Sequence, residues 1–470
     1  HYSHNSNKTT EMRTTSEFIT TTVVLLCIVL LLGGVFSQKQ QPINNNLFLR
    51  GRKLVGKEGL PQSFLSSLPS TRSPQLINGQ NPFEFSGYIT VNQTYNSNMY
   101  YVLFPAQSGK QDAPLIMWLQ GGPGCSSMDG MFLENGPYHI DKNTLRLVPN
   151  PYSWNKDYHV VYVDNPVGAG FSYTDEPGYV KNEVQVADEM FTFLNQFLPK
   201  YNLTANDFYI FGESYAGKYI PSIAHKIYFT QQPKINLRGV GIGDGLTHPV
   251  QQFVDYAEFA FNTGLIDQNQ YKKVSAVQEV AKTLVEQKKW DEAMNYINEI
   301  LNDVSAVYAG NVNVYDIREY GNYDTDYITT YVMQPDVREQ MHTNNHRAYH
   351  DCDSETYQKL QRDMPKSVRQ YVVDLLNANF KVLLYNGQFD LIINTPASER
   401  WIWDMPWNGQ QQYQQASRSI WKVNGQVAGY SRGYGPLTQL VVHGAGHLAP
   451  MDQPITTRDM VDRFINNRQF

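Results

Sequence analysis

The chain has 470 residues, 41% of them hydrophobic and 17% charged, with a formal net charge of −6. That apolar fraction is enough for a sizeable buried core. An acidic balance without a Lys/Arg block gives no footing for nucleic-acid binding through phosphate neutralisation.

The N-terminus carries an apolar run from Val23 to Phe36, broken only by Gly33 and Gly34. A bilayer span needs roughly 20 apolar residues, and this run is shorter. Arg13 precedes it, and Val35-Phe36-Ser37 puts small residues at −3 and −1 of a cleavage site after Ser37. The pattern predicts a signal peptide within residues 1–37, with Met12 as a candidate start; a signal anchor is the competing reading. Residues 38–80 are polar and rich in Pro, Gly and Ser, which suits an N-terminal arm or propeptide ahead of a domain over 81–470. Asn92-Gln93-Thr94 and Asn202-Leu203-Thr204 are glycosylation sequons. Of three cysteines, Cys27 leaves with the signal peptide, and Cys125 and Cys352 remain as a bridge or as two buried thiols. The expected route is secretory, ending in a lysosome, a vacuole or the extracellular space, with no lasting membrane association.

Phe85–Val91 and Met99–Phe104 alternate and read as a hairpin around Asn96-Ser97-Asn98. Short apolar runs follow at Pro114–Leu119, His159–Val163, Phe208–Phe211, Leu237–Ile242, Lys381–Tyr385 and Gln439–Val442, each ended by turn residues. Runs of this length suit strands buried on both faces. Helical spacing of Val184, Ala187, Met190, Phe191, Leu194, Phe197 and Leu198, and again over Thr457–Ile465, places helices between and after them. The pattern predicts an α/β fold with a mixed, mostly parallel central sheet flanked by helices. Residues 251–369 break the rhythm with helical runs and no strong strand signal, and read as a mainly helical cap.

Gly212-Glu213-Ser214-Tyr215-Ala216-Gly217 lies between a strand and a helical run. A nucleophile elbow requires that context, because the serine must sit on a tight strand-to-helix turn. A serine hydroxyl needs a base to take its proton and an acid to orient the base. Asp390 and His447 fall just past two later strands, in the Ser, Asp, His order of this kind of fold. His443 is the rival base, but it still belongs to the apolar strand run. Backbone N–H donors for a developing oxyanion are expected at Tyr215 and, after an early strand, at Gly122 in Gln120-Gly121-Gly122-Pro123-Gly124. The run from Gly239 to Gly245 lacks the spacing of a dinucleotide cradle, and no zinc or EF-hand spacing occurs. Neither a metal nor a cofactor is expected.

The stretches WLQGGPGCSS, GESYAGKY, YNGQFD and GAGHLAPMDQP together resemble the serine carboxypeptidases over residues 83–470. YAEFAFNTGLID and KKWDEAMNYINEIL resemble their vitellogenic-like branch. The resemblance implies an α/β-hydrolase fold and a triad of Ser214, Asp390 and His447, with Gly122 and Tyr215 as the oxyanion hole. It also implies a site for the substrate's terminal carboxylate built from Gln120, Glu134 and Glu213, with Gln120 where many relatives have Asn. A Cys125–Cys352 bridge is implied too. The activity expected is release of single residues from peptide and protein C-termini through an acyl-enzyme at acidic pH. An acyltransferase on the same scaffold and a non-catalytic binding protein are the alternatives, and the intact Ser, Asp and His set argues against the second.

Overall fold

The computed structural model describes residues 75–470 except 231, 254 and 344–346. The signal peptide expected within 1–37 and most of the arm expected over 38–80 lie outside the described residues. Gln75 already packs against the body, donating from Nε2 to the Leu147 carbonyl at 3.0 Å.

In chain order the strands are β1 Ser86–Asn92, β2 Ser97–Phe104, β3 Leu115–Leu119, β4 Tyr138–Asp141, β5 Arg146–Pro149, β6 His159–Val163, β7 Phe208–Glu213, β8 Leu237–Gly243, β9 Val312–Asn313, β10 Asp316–Tyr320, β11 Lys381–Gly387, β12 Ser419–Val423, β13 Gln426–Tyr434 and β14 Leu437–Val442. One ten-stranded sheet runs in the order β1-β2-β6-β3-β7-β8-β11-β14-β13-β12. From β6 to β14 all neighbours are parallel, and both edges are antiparallel. This is the mixed, mostly parallel sheet that the buried apolar runs predicted, in the α/β-hydrolase arrangement that the resemblance implied.

Strand period explains why those runs are continuous. In β3, Leu115, Met117 and Leu119 join one core while Ile116 and Trp118 join the other, and in β7 Phe208 and Ile210 part from Tyr209 and Phe211 in the same way. The helices Glu183–Lys200 and Ala216–Phe229 cover the first face, and Pro454–Ile465 covers the second. In the first of these helices Val186 and Phe193 are buried and Val184 is exposed, so the apolar stripe is rotated from the one read in the sequence. The glycines of β8 have a packing cause: a Cβ on Gly241 would lie 2.2 Å from the Phe211 ring, and one on Gly243 2.3 Å from the Tyr385 ring.

Two features differ from the sequence reading. The edge strands β12 and β13 were not foreseen, because Gly429 and Gly433 interrupt the alternation and most of their outward side chains are exposed. The region 251–369 is helical over Tyr256–Asn262, Gln268–Glu286 and Trp290–Asn302, but it also contains the antiparallel pair β9–β10. The two-residue β9 leaves no periodicity to read, and the mostly exposed, charged β10 carries no apolar alternation.

Cys125 and Cys352 are disulfide-bonded across 227 residues. They join the turn after β3 to the segment that precedes the helix Ser354–Leu360. Closing so long a loop contributes on the order of 5 kcal/mol in the chain-entropy model. Alkylation of the denatured, unreduced protein should therefore label neither cysteine, and Cys352→Ser should lower the melting temperature by several degrees. Two alkylated thiols in the intact mass would contradict this.

Candidate active site

Strands β3, β7, β11 and β14 run parallel, so the turns that follow them emerge at one end of the sheet. Those turns carry Gly121-Gly122, Ser214, Asp390 and His447 respectively.

Ser214 has φ +63, an unusual backbone for a non-glycine residue. It is pinned from several sides: its N–H donates to the Gly243 carbonyl at 3.0 Å, and its own carbonyl accepts from the N–H groups of Gly217 and Leu246 at 2.9 Å each. The helix Ala216–Phe229 starts two residues on. The turn after β3 presses against this elbow. A Cβ on Gly121 would lie 2.5 Å from the Tyr215 nitrogen and 2.6 Å from Ser214 Cβ, so only hydrogen fits there. Gly122 and the Tyr215 N–H thus sit on adjoining turns.

Asp390 and His447 are both buried. His447 Nδ1 lies 2.7 Å from Asp390 Oδ2, and the other carboxylate oxygen accepts the Ile393 N–H at 3.1 Å. A carboxylate at Nδ1 selects the tautomer with hydrogen there, which leaves Nε2 as the basic nitrogen. Ser214 and His447 line one narrow cavity of about 20 Å³, with Gln120, Gly122, Glu213 and Tyr315. That volume holds about one water molecule. The rival His443 is exposed and pairs with Gln388 Oε1 at 2.8 Å.

Gln120 is held at both ends of its amide. Its Oε1 accepts the Trp118 indole N–H at 3.0 Å, and its Nε2 donates to Glu213 Oε1 at 2.7 Å. Glu134 ends the buried turn Gly130–Glu134 and is not part of the cavity lining. The Tyr385 hydroxyl is raised well above its ordinary pKa by burial and then by the charges of Glu213, Glu134 and Asp244, so all three acids lie near it. Of the sequon residues, Asn202 is exposed at φ +56, and Asn92 is half-buried at the end of β1, its Oδ1 accepting the Thr94 N–H at 3.0 Å.

The sequence reading missed the cap's contribution. The Tyr315 carbonyl, between β9 and β10, accepts the His447 N–H at 2.7 Å, and the Val314 carbonyl accepts the N–H groups of Leu391 and Ile392 at 3.1 and 3.0 Å. The Tyr315 ring also packs 5.1 Å from the His447 ring. No motif marks these residues, because two of the three links use carbonyls that any residue provides.

Residues 74–467 match the serine carboxypeptidase family model. The chain is 39% identical to the venom serine carboxypeptidase of Apis mellifera over 401 residues, 82% of this chain and 85% of that one. It is 39% identical to the probable serine carboxypeptidase CPVL of Homo sapiens, over 82% of this chain and 84% of the relative. The vitellogenic carboxypeptidase of Aedes aegypti is 37% identical over 81% and 83%. Among solved structures, a prohormone-processing carboxypeptidase from Saccharomyces cerevisiae superposes with a TM-score of 0.73 at 25% identity, covering 81% of this chain and 91% of that one.

The loops that frame the cavity rest on two further buried acids. Asp164 accepts from Ser126 Oγ at 2.6 Å, the Ser127 N–H at 3.0 Å and the Phe171 N–H at 2.8 Å, yet burial pushes its carboxyl up to about 7. Glu183, buried at the start of the helix Glu183–Lys200, is pushed up to about 8 by burial, against the opposing charge of Lys218. Both bind a proton more tightly folded than unfolded. Their contribution to stability is therefore complete below pH about 4 and is lost as pH climbs through 7 to 8. The melting temperature should fall by several degrees between pH 5 and pH 8, and Asp164→Asn should flatten that slope. A melting temperature that rises over this interval would contradict the assignment.

Proposed function

This chain belongs to the serine carboxypeptidase family, and on that premise we propose that Ser214, Asp390 and His447 carry out its hydrolysis of peptide C-termini. The observation that carries the reading is one cavity shared by a serine on a strained elbow and a buried histidine whose far nitrogen is held by a buried carboxylate. His447 Nε2 takes the Ser214 proton as Oγ attacks the scissile carbonyl, and the imidazolium is stabilised by Asp390. The N–H groups of Gly122 and Tyr215 receive the oxyanion. Collapse expels the C-terminal amino acid with the proton from His447, and water then reverses the sequence to free the shortened peptide.

Exopeptidase selectivity and acidic preference share one cause in this reading. The substrate ends in a carboxylate, whereas Glu134 and Glu213 are themselves carboxyls, 1% and 0% exposed. Two acids in a dry cluster do not both ionise cheaply. While the pair retains a proton it donates to the substrate carboxylate, and the Gln120 amide offers a second donor. Once that proton leaves, repulsion replaces the hydrogen bond. The apolar run before Ser37, the sequons and the disulfide suit a secretory route ending in a lysosome, a vacuole or the extracellular space. Among the described residues no helix is long and apolar enough to cross a membrane.

Ser214→Ala should reduce kcat by several orders of magnitude with folding intact. Labelling of that mutant by a fluorophosphonate at the wild-type rate would overturn the nucleophile assignment. With wild type, KM for a peptide should rise with pH through the mildly acidic range while kcat persists. Glu213→Gln keeps a donor and loses the charge, so its KM profile should flatten toward neutral pH. An unchanged profile, or ready release of amino-acid amides from C-terminally amidated peptides, counts against the carboxylate site.

A further inference from the structure

Directly after β8, Asp244 sits behind the triad rather than in the cavity. It is 0% exposed and has φ +42, in the left-handed region that Asn, Asp and Gly tolerate best. Its backbone is fixed by donation of its N–H to the Tyr385 carbonyl at 2.8 Å. Its Oδ1 accepts the Gly387 N–H at 2.7 Å and lies 3.5 Å from Asn386 Nδ2. An Asp244 oxygen, an Asp390 oxygen and a ring nitrogen of His447 all lie within 4.8 Å of one another. The mechanism above uses two of these three groups and leaves the third unexplained.

We propose that Asp244 is a positioning residue, a carboxylic acid whose O–H donates to Asp390 and fixes the carboxylate against His447. Ionised carboxyls are acceptors only, so two of them can be joined by a hydrogen bond only if one carries a proton. Asp390 already accepts from His447 Nδ1 with one oxygen and from the Ile393 N–H with the other, so both its oxygens serve as acceptors. The proton therefore resides on Asp244. Its acidity agrees: the carboxyl is raised well above the ordinary range, first by burial, then by the charge of Asp390, with Glu213 and a hydrogen bond to Asp390 adding to the rise and the Gly387 N–H opposing it. The titratable groups that face it are Asp390 and Tyr385 from β11 and its loop, Glu213 from β7, and His447 from the loop after β14.

The functional consequence is a second, separate pH dependence. With Asp244 neutral, the site holds one negative charge, on the oxygen pair that orients the imidazole. When Asp244 loses its proton, two anions face each other in a dry cluster, and Asp390 is pushed off its line to Nδ1. Turnover then falls even with substrate saturating, whereas loss of the Glu134/Glu213 proton acts on substrate binding. The two effects therefore separate as kcat against KM.

The inference rests on the triad reading of Ser214, Asp390 and His447, and the experiment keeps the two apart. Asp244→Gly removes the carboxyl without straining a positive φ, and Asp244→Asn keeps an acceptor for Gly387 and a donor for Asp390 without a titrating proton. In the full-length protein, kcat and KM for one peptide are measured from pH 4 to 9, with the melting temperature of each variant as a folding control. Asp244→Gly should lose roughly 10- to 100-fold in kcat with little change in KM, the cost of one charge-assisted hydrogen bond. Asp244→Asn should restore kcat at acidic pH and carry it further into the alkaline range than wild type. A wild-type kcat profile in Asp244→Gly overturns the proposal, and so does an Asn variant that keeps the wild-type alkaline limb or falls as low as Gly. Should Asp244→Gly not fold, the Asn profile alone decides. If Ser214→Ala keeps wild-type turnover, the triad reading fails, whatever the Asp244 variants do.

Discussion

The geometry of the catalytic end hangs on the contact between two backbone turns, one after β3 and one after β7. Gly121 approaches the elbow so closely that a single methyl would meet both the Tyr215 nitrogen and Ser214 Cβ. That approach puts the Gly122 turn and the Tyr215 N–H side by side, which two oxyanion donors require. It also fixes the elbow from a direction its own strand and helix cannot supply. The parallel register of β3 against β7, with Leu119 opposite Gly212, is what delivers the two turns to the same height. Sheet order thus becomes chemistry through a distance of one hydrogen atom.

Acids crowd the same end of the sheet. Glu213, Asp244 and Asp390 leave three successive sheet neighbours, β7, β8 and β11, and all are fully buried. Glu134 is buried too, and its charge, like those of Glu213 and Asp244, acts on Tyr385. Four ionised carboxyls in such a space would be far too costly, so the cluster must hold protons. The proposed mechanism needs one charge, on Asp390, to stabilise the imidazolium. Asp244 and the Glu134/Glu213 pair are each proposed to hold a proton, which they keep more readily as pH falls. The acidic preference proposed above rests on this arrangement rather than on any one residue.

The parts of this site that the sequence announces are those whose residue type and place are both constrained. Ser214, Asp390 and His447 each follow a buried strand, and only particular side chains can do their work. Gly122 is announced by the glycine-rich turn in which it lies. Glu134 is not, because nothing in Gly130–Glu134 distinguishes a buried acid from a solvated one; only the family resemblance pointed to it. Asp244 stood inside a glycine-rich run that drew attention as a phosphate cradle, and the packing of Phe211 and Tyr385 rings accounts for those glycines instead. The β9–β10 hairpin was illegible for a different reason. It acts through main-chain carbonyls, and a carbonyl leaves no trace in a sequence.

That silent hairpin changes how the cap should be regarded. The carbonyls of Val314 and Tyr315 hold the loops of both Asp390 and His447, so cap and triad share hydrogen bonds rather than merely facing one another. On the other side, Cys352 ties the turn after β3 to the segment leading into Ser354–Leu360, and Lys218 of the elbow helix pairs with Asp363 Oδ2 at 3.0 Å in a buried contact. Lys218 also donates to the Lys366 carbonyl at 3.0 Å. The loops of Asp390 and His447 are anchored to one stretch, 314–315, the turn after β3 to Cys352, and the helix Ala216–Phe229 to 363–366. A cap bound at so many points cannot swing as a free lid without disturbing the catalytic groups. Tyr315 lines the cavity and holds the His447 loop, so a cap substitution that shifts the hairpin moves His447 with it and should show in kcat as well as in KM.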